Sequence, residues 1–352
     1  MKFAKCSKMA KLTAGFALAS ILFLAVNMNV LETSFLLKEH RALTKLLENG
    51  DCDISVIAEI ESAEEGAVKT LLASYPGSGK RFTWNAISGL TNHITADDHN
   101  LSGHLDQNPL VIKTSWPHQE GVWSWGDSMD QVILLVRNPR WAIASYHTMK
   151  YELNFATDWE STMRRMSNVY KERPAIQVWN EWRNEHFGAE MRNYVDYIDF
   201  WLSGGEKNGT IDAECETNHI ECRPKTVLDF DSFYQTHPTT EFFKLGEILD
   251  QTSNVEVIAG EARVCVMDKI FDAKELHQGG RVGTTAPSIR FTSRQLEYML
   301  LKLTELRDKY QQNTDLVVQE AVVILNNYII QVAAEAHWEE TVGNIGLGWW
   351  PY

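Results

Sequence analysis

The apolar positions of this chain fall into two rhythms. Four short runs, Val68–Ser74, Leu110–Thr114, Gln131–Val136 and Thr226–Phe230, are apolar nearly throughout and rich in β-branched residues. That is the pattern of strands buried on both faces. Over Thr83–Leu90, Trp141–Lys150, Ala189–Leu202 and Thr240–Leu249, apolar residues recur at helical spacing. The tail from Ser293 to about Trp338 follows the same period. Strands of this kind alternating with helices predict an α/β fold in three layers, with a central parallel sheet and a helical C-terminal portion. One polar island, residues 203–223, reads as an exposed loop.

The N-terminus has a different pattern. Lys2, Lys5, Lys8 and Lys11 precede a stretch without charge from Leu12 to Leu31, long enough for a bilayer core of about 30 Å. The basic flank belongs on the cytoplasmic side. The expected organisation is a cytoplasmic tail (1–11), a signal-anchor transmembrane helix (12–31), a stem (32–67) and a folded domain (68–352). A cleaved secretory signal is the alternative. Both routes deliver the domain to the secretory lumen, either membrane-anchored or secreted. The sequons at Asn100 and Asn208 fit a lumenal glycoprotein.

Composition narrows the options. Hydrophobic content is 44% and the formal net charge is −14, which excludes a disordered chain and argues against a nucleic-acid binder. Any anion site must be a local cluster of cations. Of five cysteines, Cys6 lies on the cytoplasmic side. Cys52, Cys215, Cys222 and Cys265 form an even set with three pairings open. Cys215 and Cys222 suit a small disulfide-closed loop. A zinc site using His219 matches no standard spacing.

The candidate chemistry begins with "SYPGSGKRFTW". Gly77 and Gly79 permit tight turns after the first strand, and the N–H groups of the following helix face outward toward an anion. Ser78 and Thr83 add hydroxyls; Lys80 and Arg81 add charge. The nucleoside-triphosphate signature fails here, because Lys80 comes too early and Arg81 stands where a magnesium-binding Ser/Thr belongs. The dinucleotide fingerprint lacks its third glycine. In "VILLVRNPRWAIASYH", Arg137 ends a strand, Pro139 opens a helix and Ser145 follows the arginine by eight positions.

Taken together, the two stretches resemble the sulfotransferase family that uses 3′-phosphoadenosine 5′-phosphosulfate (PAPS), in its membrane-anchored, Golgi-type form. "PLVIKTSWPH" and "VLDFDSFYQTHP" follow the family's order between residues 68 and 300. The resemblance implies a P-loop-like domain whose first loop (Gly77, Ser78, Gly79, Lys80, Arg81, Thr83) binds the 5′-phosphosulfate. Trp84 would stack on adenine. Arg137 and Ser145 would hold the 3′-phosphate, with a partial counterpart of a third segment at Arg281 in "GGRVGTT". No metal is implied. The sequence departs from the family in two places: "KRF" intervenes before Thr83, and Ser115 stands where relatives carry a catalytic histidine.

The implied reaction moves a sulfuryl group to a hydroxyl, and it depends on positioning and charge stabilisation. Lys80 or Arg81 would neutralise the bridging oxygen, Lys113 would assist, and His118 is the candidate general base. Trp116, Trp123 and Trp125 favour a glycan or glycoprotein acceptor. Two alternatives stand beside this reading. One is a kinase-like enzyme using Asp229 or Asp231 for magnesium. The other is a nucleotide-binding protein of the same fold that has lost catalysis.

Overall fold

The computed structural model describes residues 61–343, apart from 101–103, 123–128, 154–175, 208–209, 214, 216–221, 234–237, 261, 269 and 271–289. All of these described residues belong to the unit Ser55–Tyr352. The tail, the signal-anchor, most of the stem, Asn208, Trp123, Trp125 and Arg281 lie outside the described residues, as does the side chain of Arg81.

Five parallel strands form the central sheet: β1 (Thr70–Ser74), β2 (Thr95–Asp97), β3 (Val111–Thr114), β4 (Gln131–Val136) and β7 (Pro224–Asp229), in the order β2-β3-β1-β4-β7. Register is continuous across the centre, with Leu72 opposite Lys113 on one side and Ile133 on the other. β1 and β4 are buried along their whole length, which accounts for their unbroken apolar sequences.

Successive side chains of a strand point to opposite faces, and here each face meets its own helices. Leu71, Ala73, Val132, Leu134 and Val136 join one core cluster with residues of α2 (Pro139–Leu153), α3 (Ile176–Leu202), α5 (Ser293–Tyr310) and α6 (Leu316–Gly343). Leu72, Ile133, Leu135 and Leu228 are equally buried but lie outside that cluster. On their side α1 (Lys80–Thr91) packs on β1, β2 and β3, and α4 (Pro238–Thr252) packs on β7. Three layers result, as the hydrophobic pattern predicts.

α5 starts from a capping box, in which Thr292 and Gln295 satisfy each other's backbone N–H. By length and composition, Leu316–His337 of α6 would suffice to cross a membrane. Its row Val318, Ala321, Val322, Leu325, Tyr328 and Val332 is instead buried in the domain core. The described residues of the polar island are not all loop. It carries a two-stranded antiparallel pair, β5 (Glu206–Lys207) with β6 (Thr210–Ile211), and the Cys215–Cys222 disulfide. Cys265 is also disulfide-bonded.

Candidate functional site

In an open parallel sheet, the crevice at the carboxyl ends of the strands is the ligand position. The β1–α1 loop emerges there. Gly77 and Gly79 both adopt positive φ, 86° and 88°, and each also makes a close approach. A Cβ on Gly77 would lie 2.2 Å from the Ala142 carbonyl oxygen of α2, and one on Gly79 would lie 2.0 Å from the Phe230 ring. Only glycine fits either place. α1 has no side-chain N-cap hydrogen bond; its Phe82 and Thr83 N–H groups donate to the Gly79 carbonyl oxygen at 2.9 and 3.3 Å, which turns the loop directly into the helix. The hydroxyls of Ser78 and Thr83 are fully buried and have no hydrogen-bond partner among the described residues. Buried polar groups are ordinarily satisfied, so the pair points to a ligand with acceptor oxygens.

Arg137 leaves the end of β4 and ties this loop to α2. Its Nη1 donates to the Gly77 carbonyl oxygen at 2.8 Å and to Ser145 Oγ at 2.9 Å, and its Nε donates to Asp231 Oδ1 at 3.3 Å. The guanidinium also lies 5.0 Å from the Phe230 ring centre. Asn138 N–H donates to the other Asp231 oxygen at 2.8 Å. Burial pushes the Asp231 carboxyl up, opposed by Arg137 and the Asn138 N–H. The two motifs separated in sequence therefore meet at one guanidinium.

Lys80 hydrogen-bonds Ser115 Oγ at the end of β3. Loss of water around its ammonium lowers the Lys80 pKa, against the pull of Asp98, Asp97 and Glu120. Lys113 Nζ lies 3.8 Å from the centre of the Trp84 ring, so it covers one face of that indole.

His118 occupies different surroundings from those a general base needs. It is 6% exposed and edge-on to Tyr75 and Tyr146. Its Nδ1 accepts the Glu120 backbone N–H at 3.1 Å, and Nε2 faces Glu190 at 3.6 Å. With Nδ1 accepting, the ring proton sits on Nε2, leaving no free lone pair for a substrate hydroxyl. Glu190 also accepts from Tyr75 OH at 2.7 Å. Burial works to raise the Glu190 carboxyl, but its contacts with His118 and Tyr75 prevail and hold it below its ordinary value. This network braces the first residue of the loop from behind.

The carboxylates expected to serve magnesium are committed elsewhere. Asp229 accepts from Tyr328 OH at 2.5 Å, Ser232 Oγ at 2.6 Å and the Asp231 N–H at 3.1 Å, and Asp231 is held by Arg137. A cavity of about 300 Å³ opens beside Asp229 and Ser232, against Asn327, Ile330 and Gln331 of α6, and no loop residue lines it. Sequence reasoning missed the acidic group Asp97, Asp98 and Glu120 around Lys80. Two adjacent aspartates closing a strand, at Asp97 and Asp98, were the available signal.

No protein-family model matches the chain, and no curated protein matches it. Among solved structures it is similar to mouse sulfotransferase SULT7A1 complexed with PAP, with 12% sequence identity and a TM-score of 0.43, covering 78% of this chain and 93% of that chain. A likeness of this size fixes neither activity nor ligand.

Proposed function

We propose that the domain binds PAPS and transfers its sulfuryl group to a hydroxyl of a glycan or glycoprotein, working in the Golgi lumen behind an N-terminal membrane anchor. The observation that carries this reading is the double engagement of Arg137 Nη1, with Gly77 of the first loop and Ser145 of α2. One loop for a 5′-phosphosulfate and one Arg–Ser pair for a 3′-phosphate thus form a single anion site.

In this reading the loop N–H groups, Ser78 and Thr83 hold the phosphosulfate. Lys80 neutralises charge growing on the bridging oxygen as the sulfur–oxygen bond breaks. Its bond to Ser115 aims the ammonium, in the place where relatives carry a histidine. Trp84 offers adenine the face that Lys113 leaves open. The acceptor hydroxyl loses its proton to a carboxylate facing Lys80 rather than to His118. Of these, Glu120 is the most exposed: its side chain is 30% accessible, against 3% and 6% for residues Asp97 and Asp98. Its Oε1 accepts the Tyr146 hydroxyl at 2.8 Å and faces Lys150 Nζ at 3.6 Å, so Oε2 is the oxygen assigned to the acceptor hydroxyl. Asp98 Oδ2 is already taken by Thr114 Oγ1 and the Val122 N–H.

The test is release of adenosine 3′,5′-bisphosphate (PAP) from PAPS against a panel of hydroxyl-bearing glycans. Acceptor-dependent release supports the assignment. Binding of PAP without turnover on any acceptor would leave a nucleotide-binding protein.

A further inference from the structure

Arg137 directs Nε to a carboxylate and spends Nη1 on Gly77 and Ser145. Among the described residues, Nη2 is the guanidinium nitrogen left without a hydrogen-bond partner. A guanidinium is planar, so fixing Nε and Nη1 fixes the direction of Nη2. Asp231 does the fixing on one edge, and its second oxygen pins the adjoining turn through the Asn138 N–H.

Asp231 is itself held from further out. Its N–H donates to Asp229 Oδ1, which also accepts the hydroxyl of Tyr328 from α6. A continuous chain of hydrogen bonds runs from the C-terminal helix through Asp229 and Asp231 to Arg137. The other titratable groups facing Asp231 are Asp229 and the phenols of Tyr194 and Tyr328. Arg137 is the one cation in that set, so the pairing of Asp231 with it is unambiguous.

We infer that Asp231 is a positioning residue that makes this site selective for nucleotides bearing a 3′-phosphate, acting through Arg137. The inference rests on the reading of Arg137 and Ser145 as the 3′-phosphate pair. A carboxylate this close repels an incoming phosphate, so on electrostatics alone its presence weakens the site. What it contributes is orientation: an arginine already ordered does not lose its rotamer freedom when the ligand arrives.

The experiment is titration calorimetry on the full-length chain in mild detergent, with PAP and with AMP, which lacks the 3′-phosphate. Wild type should prefer PAP. Asp231→Ala, which removes the acceptor for Nε, should lower that preference by about tenfold, and Asp231→Asn, which keeps the size and one acceptor for Nε, should retain most of it. In an Arg137→Ala background, Asp231→Ala should change the preference no further. An unchanged preference in Asp231→Ala, equal losses for the two nucleotides, or a loss in Asp231→Asn as large as in Asp231→Ala overturns the inference. A wild type with no preference for PAP overturns the 3′-phosphate reading itself and the inference with it.

Discussion

Arg137 Nη1 donates to Ser145 Oγ at 2.9 Å across eight positions of sequence, and the same nitrogen reaches back to Gly77 O. Arg137→Ala should weaken PAP binding by more than tenfold, because a hydrogen bond to a charged group contributes about 1.5–3 kcal/mol. Ser145→Ala should cost less, about two- to fivefold, since a neutral hydroxyl contributes about 1 kcal/mol. Calorimetric dissociation constants check both.

Gly77→Ala should remove binding and lower stability together. The new methyl meets the Ala142 carbonyl oxygen, and the residue must hold a strained positive φ, a cost on the order of 1–3 kcal/mol before the clash. A drop in Tm of several degrees is expected. An alanine that leaves Tm and PAP affinity unchanged would contradict the packed loop.

Glu120 and His118 should separate in kinetics. Glu120→Gln should lower kcat by about 10²–10⁴-fold with KM for PAPS nearly unchanged, the usual size of a general-base contribution. His118→Asn keeps an acceptor for the Glu120 N–H but loses the Nε2–H that faces Glu190, and it should act mainly on Tm. The reverse ranking would return the base to His118.

Glu241 gives a pH signature. Burial first, with Asp229 and Glu320 adding to it, pushes this carboxyl up to about 7, although Lys244 and the Asp229 N–H work the other way. The folded state then holds a proton that the unfolded chain gives up at its ordinary, lower pKa. This contribution to stability is complete below that ordinary pKa and is lost as pH rises through about 7. Denaturant unfolding from pH 4.5 to 7.5 should show a falling component, on the order of 1–3 kcal/mol, that is absent in Glu241→Gln.

The Cys215–Cys222 bridge closes a loop of sequence separation 7. Replacing both residues by serine should cost about 2–3 kcal/mol on the chain-entropy account, read as a lower denaturation midpoint. An unchanged midpoint would mean that β5 and β6 hold the island without it.

Much of this fold is legible in the sequence because strands buried on both faces leave unbroken apolar runs, and Gln131–Val136 is observed with the expected bounds. β2 is not legible: it is three residues long and ends in Asp97, a buried carboxylate beside the site. α3 begins at Ile176, well before the Ala189 expected, because Trp179, Arg183 and Phe187 keep the period amid exposed polar residues. Arg137 and Ser145 are readable as a pair because one lies just after β4 and the other in the second turn of the helix that follows it directly. The bond from Arg137 to Asp231 crosses 94 positions and exists because β4 and β7 are sheet neighbours, which no local pattern reveals. His118 reads as the candidate general base in sequence, but the structure seals it between Tyr75, Tyr146 and Glu190.

The most direct test of the central claim is thermal unfolding of the full-length chain with PAP, and separately with ATP plus magnesium. At about 100 times its dissociation constant, a ligand adds about 2.7 kcal/mol, several degrees for a domain of this size. Stabilisation by PAP, with none from ATP and magnesium, is the predicted result. Stabilisation by ATP and magnesium alone, or by neither ligand, would contradict it.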